Sequence, residues 1–532
     1  MKNKREFKFK EYLNNKEEVV FWGLFLLMAV YYGYRLFALT PWYDELYTYY
    51  CFISKGPVYA AIHWPLPNNH VGYSVLSACL DLFGNSYIGL RGVSYLAALA
   101  NLRFIYVIAH RYMKGWLPIG TLILYLSMNL VNQMTVQGRG YTLGITCFLV
   151  AFYCMSLICE EEKPTKLVYI SYIMAIVIGL YAVSSNVYWV VPLCLTGGIY
   201  LLIHGIKEPA KRKRLIQLIL ASVVAAILTI GLYAIIWVAI GSNLLVKDNS
   251  SIYYGMSHVN MILKAPFDAI KRGMEYMLDT PYIQSEDRAG FLGRLGGFFI
   301  SLFGYYYNEI GVFVLGVTLV GMILVIYRVI KWKKTEYQAS RLLELLLLVQ
   351  MIFIPICLLI QCKRPYFRVF TYGGVLVALM IGVLLQIVWT QLKKSIKNQK
   401  ILKVIPIIVG IMICAFGIKC IAFSGYNGQY SVQEYEIEDA FKHGNVTDKQ
   451  QICVTDCNQE YLLYFLYGIR CENKQIEDSE LVLLDKRMTD PDFKEMIWEF
   501  YHYYDTIPWD YIEQNMKPIY ENNGYILYEA SK

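Results

Sequence analysis

Residues 19–39 read VVFWGLFLLMAVYYGYRLFAL, and Thr40-Pro41-Trp42-Tyr43-Asp44-Glu45-Leu46 follows directly. The first stretch is apolar and long enough, as a helix rising about 1.5 Å per residue, to cross the ~30 Å core of a bilayer. Asp44 and Glu45 therefore emerge at a membrane surface. Charge there is costly unless it faces water or a cavity, so the pair is a functional candidate by position alone. A basic arm (Lys2, Lys4, Arg5, Lys8, Lys10) precedes the run. The run is too long for a signal peptide and lacks a small-residue cleavage site, which predicts a retained first helix.

Composition extends the reading to the whole chain. Of 532 residues, 57% are hydrophobic and 17% charged, and the mean hydropathy is +0.39. Repeated apolar runs of roughly 18 to 25 residues predict a polytopic helical membrane protein. The formal charge of +8 would suit nucleic acid only if it formed one patch. It lies instead in short clusters between apolar runs, the distribution of cytoplasmic loops, so it reports topology and no nucleic-acid partner is expected.

Apolar runs predict about eleven spans, at roughly 19–39, 87–109, 116–136, 141–159, 167–185, 187–204, 215–241, 307–327, 342–361, 369–390 and 401–423. Alternate loops are short and basic: Arg111 with Lys114, Lys163 with Lys166, Lys211-Arg212-Lys213-Arg214, Lys331 with Lys333 and Lys334, and Lys393 with Lys394, Lys397 and Lys400. The positive-inside rule makes these cytoplasmic, with the arm at 1–18 inside and residues 424–532 outside, in a cell membrane.

Three outer segments are long. Residues 40–86 hold the acidic pair, the Trp64-Pro65-Leu66-Pro67-Asn68-Asn69-His70 segment, and an apolar stretch over 71–83 too short to span, which predicts an interfacial helix. Residues 242–306 are polar and predict a cap or a mobile lid. Residues 424–532 alternate strand-like runs (451–454, 481–484, 524–528) with a helical pattern over 492–504, predicting a small α/β domain. Its aromatics (Trp498, Tyr501, Tyr503, Tyr504, Trp509) suit either sugar stacking or an ordinary small core. Most of the thirteen cysteines lie in apolar runs as small core residues. Cys453, Cys457 and Cys471 in the tail allow a disulfide without specifying one, and no zinc-like spacing occurs.

The outer ends of several spans carry cations where the positive-inside rule predicts few: His70, Arg91, Arg139 between Gly138 and Gly140, and Lys363, Arg364 and Arg368. Cations gathered beside a carboxylate pair suit a phosphate or pyrophosphate, because guanidinium presents a planar fork of donors. Blander readings stay open. Arg91 and Lys363 could snorkel to lipid phosphates, His70 could be structural, and Asp44-Glu45 could simply cap a helix.

The order of these residues resembles membrane glycosyltransferases of the GT-C superfamily. An Asp-Glu pair follows the first span, Asn69-His70 opens a short helix, Leu82-Phe83-Gly84 and Leu90-Arg91 lie at the second span, and Arg139-Gly140-Tyr141 opens the fourth. The branch it resembles is that of the protein O-mannosyltransferases and bacterial aminoarabinose transferases, over about residues 18 to 205, with a weaker extension through Arg364-Pro365-Tyr366-Phe367-Arg368. The resemblance implies a polyprenyl-phosphate sugar donor and inverting transfer. It also implies Asp44 as the residue activating the acceptor, Glu45 beside it, and His70, Arg139 and Arg368 at the donor phosphate, where Arg364 and Arg91 are further candidates. Relatives follow the His70 position with Pro-Pro, whereas Val71-Gly72 stand here.

The chemistry is coherent without a cofactor. A carboxylate takes the proton of the acceptor as it attacks the anomeric carbon, and arginines stabilise charge on the departing phosphate. No metal is required, although a divalent ion stays open, and no Gly-rich phosphate loop or zinc motif appears. The expected partners are a lipid-linked sugar, membrane lipids, and an envelope polymer, lipid or protein acceptor. A transporter or flippase, or a polymerase or ligase of lipid-linked glycans, would share the outward-facing site. Paired halves with midplane charges, usual in transporters, are missing.

Overall fold

The computed structural model describes residues 16–63, 69–206, 208–241, 252–279, 285–331, 341–422, 431–447, 451–471, 475–489 and 507–531. The basic arm at 2–10, residues 64–68, Lys333 and Lys334, the pattern at 492–504 and the aromatics Trp498, Tyr501, Tyr503 and Tyr504 lie outside the described residues.

The first span is α1 (Lys16–Ala38). It is followed by three short helices, α2 (Tyr43–Cys51), α3 (Pro57–Ile62) and α4 (Val71–Asp81). The bundle continues through α5 (Ser86–Tyr112), α6 (Leu117–Leu126), α7 (Asn129–Met134), α8 (Tyr141–Glu160), α9 (Lys166–Ala182), α10 (Val187–Gly205) and α11 (Pro209–Gly241). Then come α12 (His258–Asp279), α13 (Phe291–Tyr307), α14 (Gly311–Ile330), α15 (Arg341–Gln361), α16 (Gly373–Ser395) and α17 (Gln399–Ala422).

Among the described residues, nine helical stretches are long and apolar enough to cross a membrane. Each of the eleven expected runs coincides with helix, but two fall short. The run at 167–185 is α9, 17 residues long. The run at 116–136 divides into α6 and α7 for a local reason: the Asn132 side chain donates to the Leu126 carbonyl at 2.6 Å and satisfies the end of α6. The Asn132 carbonyl in turn accepts from buried Arg35 at 2.8 Å, and its side-chain oxygen from the Tyr32 hydroxyl at 3.2 Å.

Residues 242–306, read from sequence as a polar cap or lid, contain two helices within their described part. The α12 helix presents Val259, Ile262, Leu263, Phe267 and Met274 outward at three- and four-residue spacing, the pattern of a helix lying in an interface. The α13 helix is apolar and leads through a 3₁₀ turn, with Asn308 at φ 51°, into α14. Polar residues within α12 and between the two helices lowered the average and concealed both.

At the carboxyl-terminal end, α18 (Val432–His443), β1 (Ile452–Val454), α19 (Cys457–Tyr467), β2 (Leu481–Asp485), α20 (Trp509–Asn515), β3 (Met516–Glu521) and β4 (Tyr525–Ala530) build a sheet of order β1-β2-β4-β3. The β1–β2 pair is parallel and the other two are antiparallel. Side chains alternate across it as the pleat requires. Ile452, Val454, Leu481, Leu483 and Leu527 pack on α18 and α19, whereas Cys453, Val482 and Leu484 meet Ile512 and Met516 on the other face. Strand β3 carries Pro518, which a sheet tolerates at an edge, and β3 is an edge. The first of these cores also takes in Leu46, Tyr49 and Ile53 from the α2 segment, Ala78 and Leu90. The sheet and the segment that follows the first span thus share one apolar core. Among the described residues, no two cysteines are joined in a disulfide.

Candidate active site

Helix α2 carries the acidic pair in its first turn, where backbone N–H groups favour negative charge. The two carboxylates point to opposite fates. Glu45 is wholly buried, and its carboxylate accepts from Arg91 Nε at 2.8 Å, Arg91 Nη2 at 2.9 Å, the Gly138 N–H at 2.6 Å and the Trp42 N–H at 3.0 Å. Arg91, equally buried, donates further to the carbonyls of Leu39 at 2.6 Å and Leu36 at 3.0 Å. This pair joins α2, the end of α1, α5 and the loop after α7. Arg91 neither snorkels nor turns toward the Asp44 carboxylate. The sequence grouped Arg91 with phosphate contacts and Glu45 with the chemistry, and their geometry is that of a bidentate brace.

Asp44 faces the other way and is partly open. Its Oδ2 lies 3.1 Å from Arg368 Nη1. The Arg368 guanidinium sits over the rings of Trp42, at 5.2 Å, and Tyr366, at 4.6 Å. Burial works against the Arg368 charge, but Tyr141 and Asp44 beside it outweigh burial and raise its pKa above the usual arginine value.

Arg139 closes the group from the third side. It is buried, and donates through Nη1 to the Thr48 hydroxyl at 2.7 Å and the Asp44 carbonyl at 3.2 Å. Its Nη2 lies 3.2 Å from His70 Nε2. The loop that aims it is anchored by Ser94, whose hydroxyl donates to the Gln137 carbonyl at 2.6 Å.

His70 immediately precedes α4. Its Nδ1 accepts the Gly140 N–H at 3.0 Å, so the neutral ring carries its proton on Nε2. Burial and the positive charges of Arg139 and Arg368 push its pKa well below the ordinary histidine value, which keeps the ring neutral. Nε2–H and the Arg139 guanidinium are thus two donors side by side, an arrangement suited to a shared anionic acceptor. Glycine at 72 and 140 makes the approach possible. A Cβ at Gly72 would come within 2.9 Å of the Ala182 nitrogen, and one at Gly140 within 2.9 Å of the Ala182 carbonyl. Close packing on the end of α9 explains Gly72 in place of the second proline.

Arg364 lies elsewhere. It pairs with Glu286, which also accepts from Arg294 Nε at 2.7 Å. Slight burial pushes the Glu286 carboxyl up, but Arg364 and Arg294 outweigh it and hold the pKa below the usual range. Lys363 is buried rather than snorkelling.

Four predicted residues, Asp44, His70, Arg139 and Arg368, therefore converge, Glu45 and Arg91 lie behind them, and Arg364 lies apart. Sequence reasoning passed over Thr48, Tyr141 and Glu434. Tyr141 stood inside the Arg139-Gly140-Tyr141 motif and packs edge-on to His70, with centroids 5.0 Å apart. Glu434 in α18 accepts the Tyr43 N–H at the start of α2, at 3.0 Å. Nothing local marks a residue nearly four hundred positions downstream. Among the described residues, no group of three or more histidine, cysteine, aspartate or glutamate side chains could hold a metal.

Comparison with known proteins gives three results. Residues 70–237, just under a third of the chain, match the family model of dolichyl-phosphate-mannose-protein mannosyltransferase. No curated protein sequence matches. Among solved structures, ArnT from Cupriavidus metallidurans, bound to undecaprenyl phosphate, superposes with a TM-score of 0.50 at 10% identity, over 96% of this chain and 97% of that one. The archaeal oligosaccharyltransferase AglB from Archaeoglobus fulgidus, in complex with an inhibitory peptide and a dolichol-phosphate, gives 0.46 at 11% identity, over 89% and 70%. Residues 70–237 thus resemble this mannosyltransferase family, and the chain as a whole shares the polytopic helical fold of ArnT.

Proposed function

We propose that this protein transfers a sugar from a polyprenyl-phosphate carrier to an acceptor on the outer side of the cell membrane, with inversion. The observation that carries the reading is the convergence of one partly open carboxylate, Asp44, with Arg139, Arg368 and neutral His70. The carrier class is supported by the family match and by the undecaprenyl phosphate held by ArnT.

In the reaction, Asp44 removes the proton of the acceptor hydroxyl or amine as that atom attacks the anomeric carbon. The bond between that carbon and the phosphate oxygen breaks, and its electron pair leaves on the phosphate. His70 Nε2–H and Arg139 hold that oxygen group. Arg368, ion-paired with Asp44 at 3.1 Å, lies between base and leaving group and steadies both. Preorganised donors of this kind act where charge develops and need no rearrangement at that moment. Glu45 and Arg91 hold α2 in register.

The basic alternate loops support residues 1–18 as cytoplasmic, 19–423 as the membrane domain and 424–532 as an outer-face domain. The test is release of polyprenyl phosphate from purified protein supplied with candidate sugar carriers. Wild type should release carrier and Asp44→Asn should not. A wild type that releases none from any carrier, or an Asp44→Asn with unchanged turnover, would overturn the reading.

A further inference from the structure

A cavity of about 690 Å³ opens beside the site, lined among others by Glu286, Asp287, Arg294, Arg364, Tyr366 and Phe367. That size falls within the range of small-molecule pockets. Two segments remote in sequence form it, the turn before α13 and the link from α15 to α16. The Glu286 N–H joins them by donating to the Cys362 carbonyl at 3.0 Å.

Its polar side is ordered. The Glu286 carboxylate takes Arg294 on one oxygen and Arg364 on the other. Arg294 also donates to the Ala289 carbonyl at 3.3 Å, and the Asp287 carboxylate accepts the Ala289 N–H at 3.1 Å. Fixed donors and acceptors therefore interleave along one wall. The other wall is aromatic. The Phe367 ring is held by Phe298, with centroids 5.0 Å apart, while Tyr366 is 61% exposed.

Charge decides what this cavity takes. Arg294 and Arg364 are balanced by Glu286 and Asp287, so the wall is formally neutral. Around Asp44, Arg139 and Arg368 face a single carboxylate of the pair that is open. A phosphate therefore gains more at Asp44 than in the cavity. A neutral polyol suits the cavity better: hydroxyls both donate and accept, and the C–H face of a sugar ring lies flat on an exposed aromatic. Tyr366 also carries the Arg368 guanidinium on its ring, and Arg368 touches Asp44, so a molecule resting on Tyr366 is one side chain from the carboxylate.

We infer that this cavity is the acceptor subsite and that it takes a neutral carbohydrate, a glycan hydroxyl being the group delivered to Asp44. The inference rests on the proposed transferase reading, in which Asp44 receives the acceptor proton.

The experiment is saturation-transfer NMR on the full chain in lipid nanodiscs, without donor. The probes are methyl glucoside, methyl mannoside, methyl galactoside and lactose, with a serine-containing hexapeptide and inorganic phosphate as comparators. At least one glycoside should be saturated by wild type, with the signal falling fivefold or more in Tyr366→Ala and in Arg364→Ala. Arg139→Ala, which damages the donor site, should leave glycoside binding within twofold. Absence of glycoside binding in wild type, an unchanged signal in both cavity variants, or displacement by the peptide alone would overturn the inference. Failure to release carrier with glycoside binding intact would overturn the transferase reading and the acceptor role with it, and leave the cavity as a carbohydrate site only.

Discussion

Glu45 and Arg91 meet in a two-point contact, at 2.8 and 2.9 Å, with both side chains fully enclosed. Removing one member strands the other charge. Arg91→Leu should therefore cost about 3–5 kcal/mol of stability, read as a lower unfolding temperature of the detergent-solubilised protein. The double variant Glu45→Gln with Arg91→Met should recover much of the loss, because well-packed neutral residues replace buried ion pairs tolerably.

Asp44→Asn keeps the shape of the side chain and removes the proposed base. Turnover should fall roughly 10²- to 10⁴-fold, the usual contribution of general base catalysis, while the affinity for the lipid donor changes little. Single-turnover carrier release alongside a donor-binding measurement separates the two.

Arg139 reaches Thr48, the Asp44 carbonyl and His70 from one planar group. Arg139→Ala should lower kcat/KM by about a hundredfold, on the order of 3 kcal/mol. Arg139→Lys should not restore it, since a single ammonium cannot reproduce the fork.

The depressed pKa of His70 makes stability pH-dependent in one direction. Burial, Arg139 and Arg368 hold the native ring neutral, whereas the unfolded ring titrates near ~6.5. Above that value neither state binds the proton and the term is zero. Below it the unfolded state gains a proton that the native state refuses, so stability falls as pH drops toward the native pKa, by up to about 1.4 kcal/mol per pH unit. Unfolding temperatures measured from pH 8 to pH 5 should fall more steeply for wild type than for His70→Gln. Parallel curves would remove the assignment.

Glu434 accepts from the Tyr43 N–H and, at 3.1 Å, from Asn458 Nδ2. Glu434→Ala should slow turnover by loosening the start of α2, with an unfolding cost of about 1 kcal/mol typical of a lost cap. Glu434→Gln, whose amide oxygen still accepts, should keep most activity. Equal losses in both variants would point to charge rather than positioning.

The bundle was legible because lipid-crossing helices need long apolar runs, and the α1, α5, α8 and α15 runs are of that kind. The broken α6–α7 helix was not, since the break depends on Asn132 reaching Leu126 and Arg35 rather than on a proline or glycine. Within the site, Asp44 and Arg139 stood out as charges on the face where few belong. That rule could not separate Asp44 from Glu45, because adjacent helical residues point about 100° apart and only the surrounding structure says which side is closed. It equally grouped Arg91 and Arg364 with the others, although one is buried behind α2 and the other is committed to Glu286. Position along the chain reports which membrane face a cation reaches, and says nothing of where on that face it turns.

Helix α2 has its first N–H held by Glu434, its Tyr50 hydroxyl donating to Glu460 at 2.6 Å, and its apolar side in one core with the terminal sheet. Asp44 thus sits on a helix whose setting is completed by residues nearly four hundred positions further along the chain. A chain stopped early would insert its spans and still leave α2 unsupported. A shortened chain lacking the sheet should therefore be inert toward lipid carriers, so docking of the sheet on α2 acts as the licence for the proposed activity.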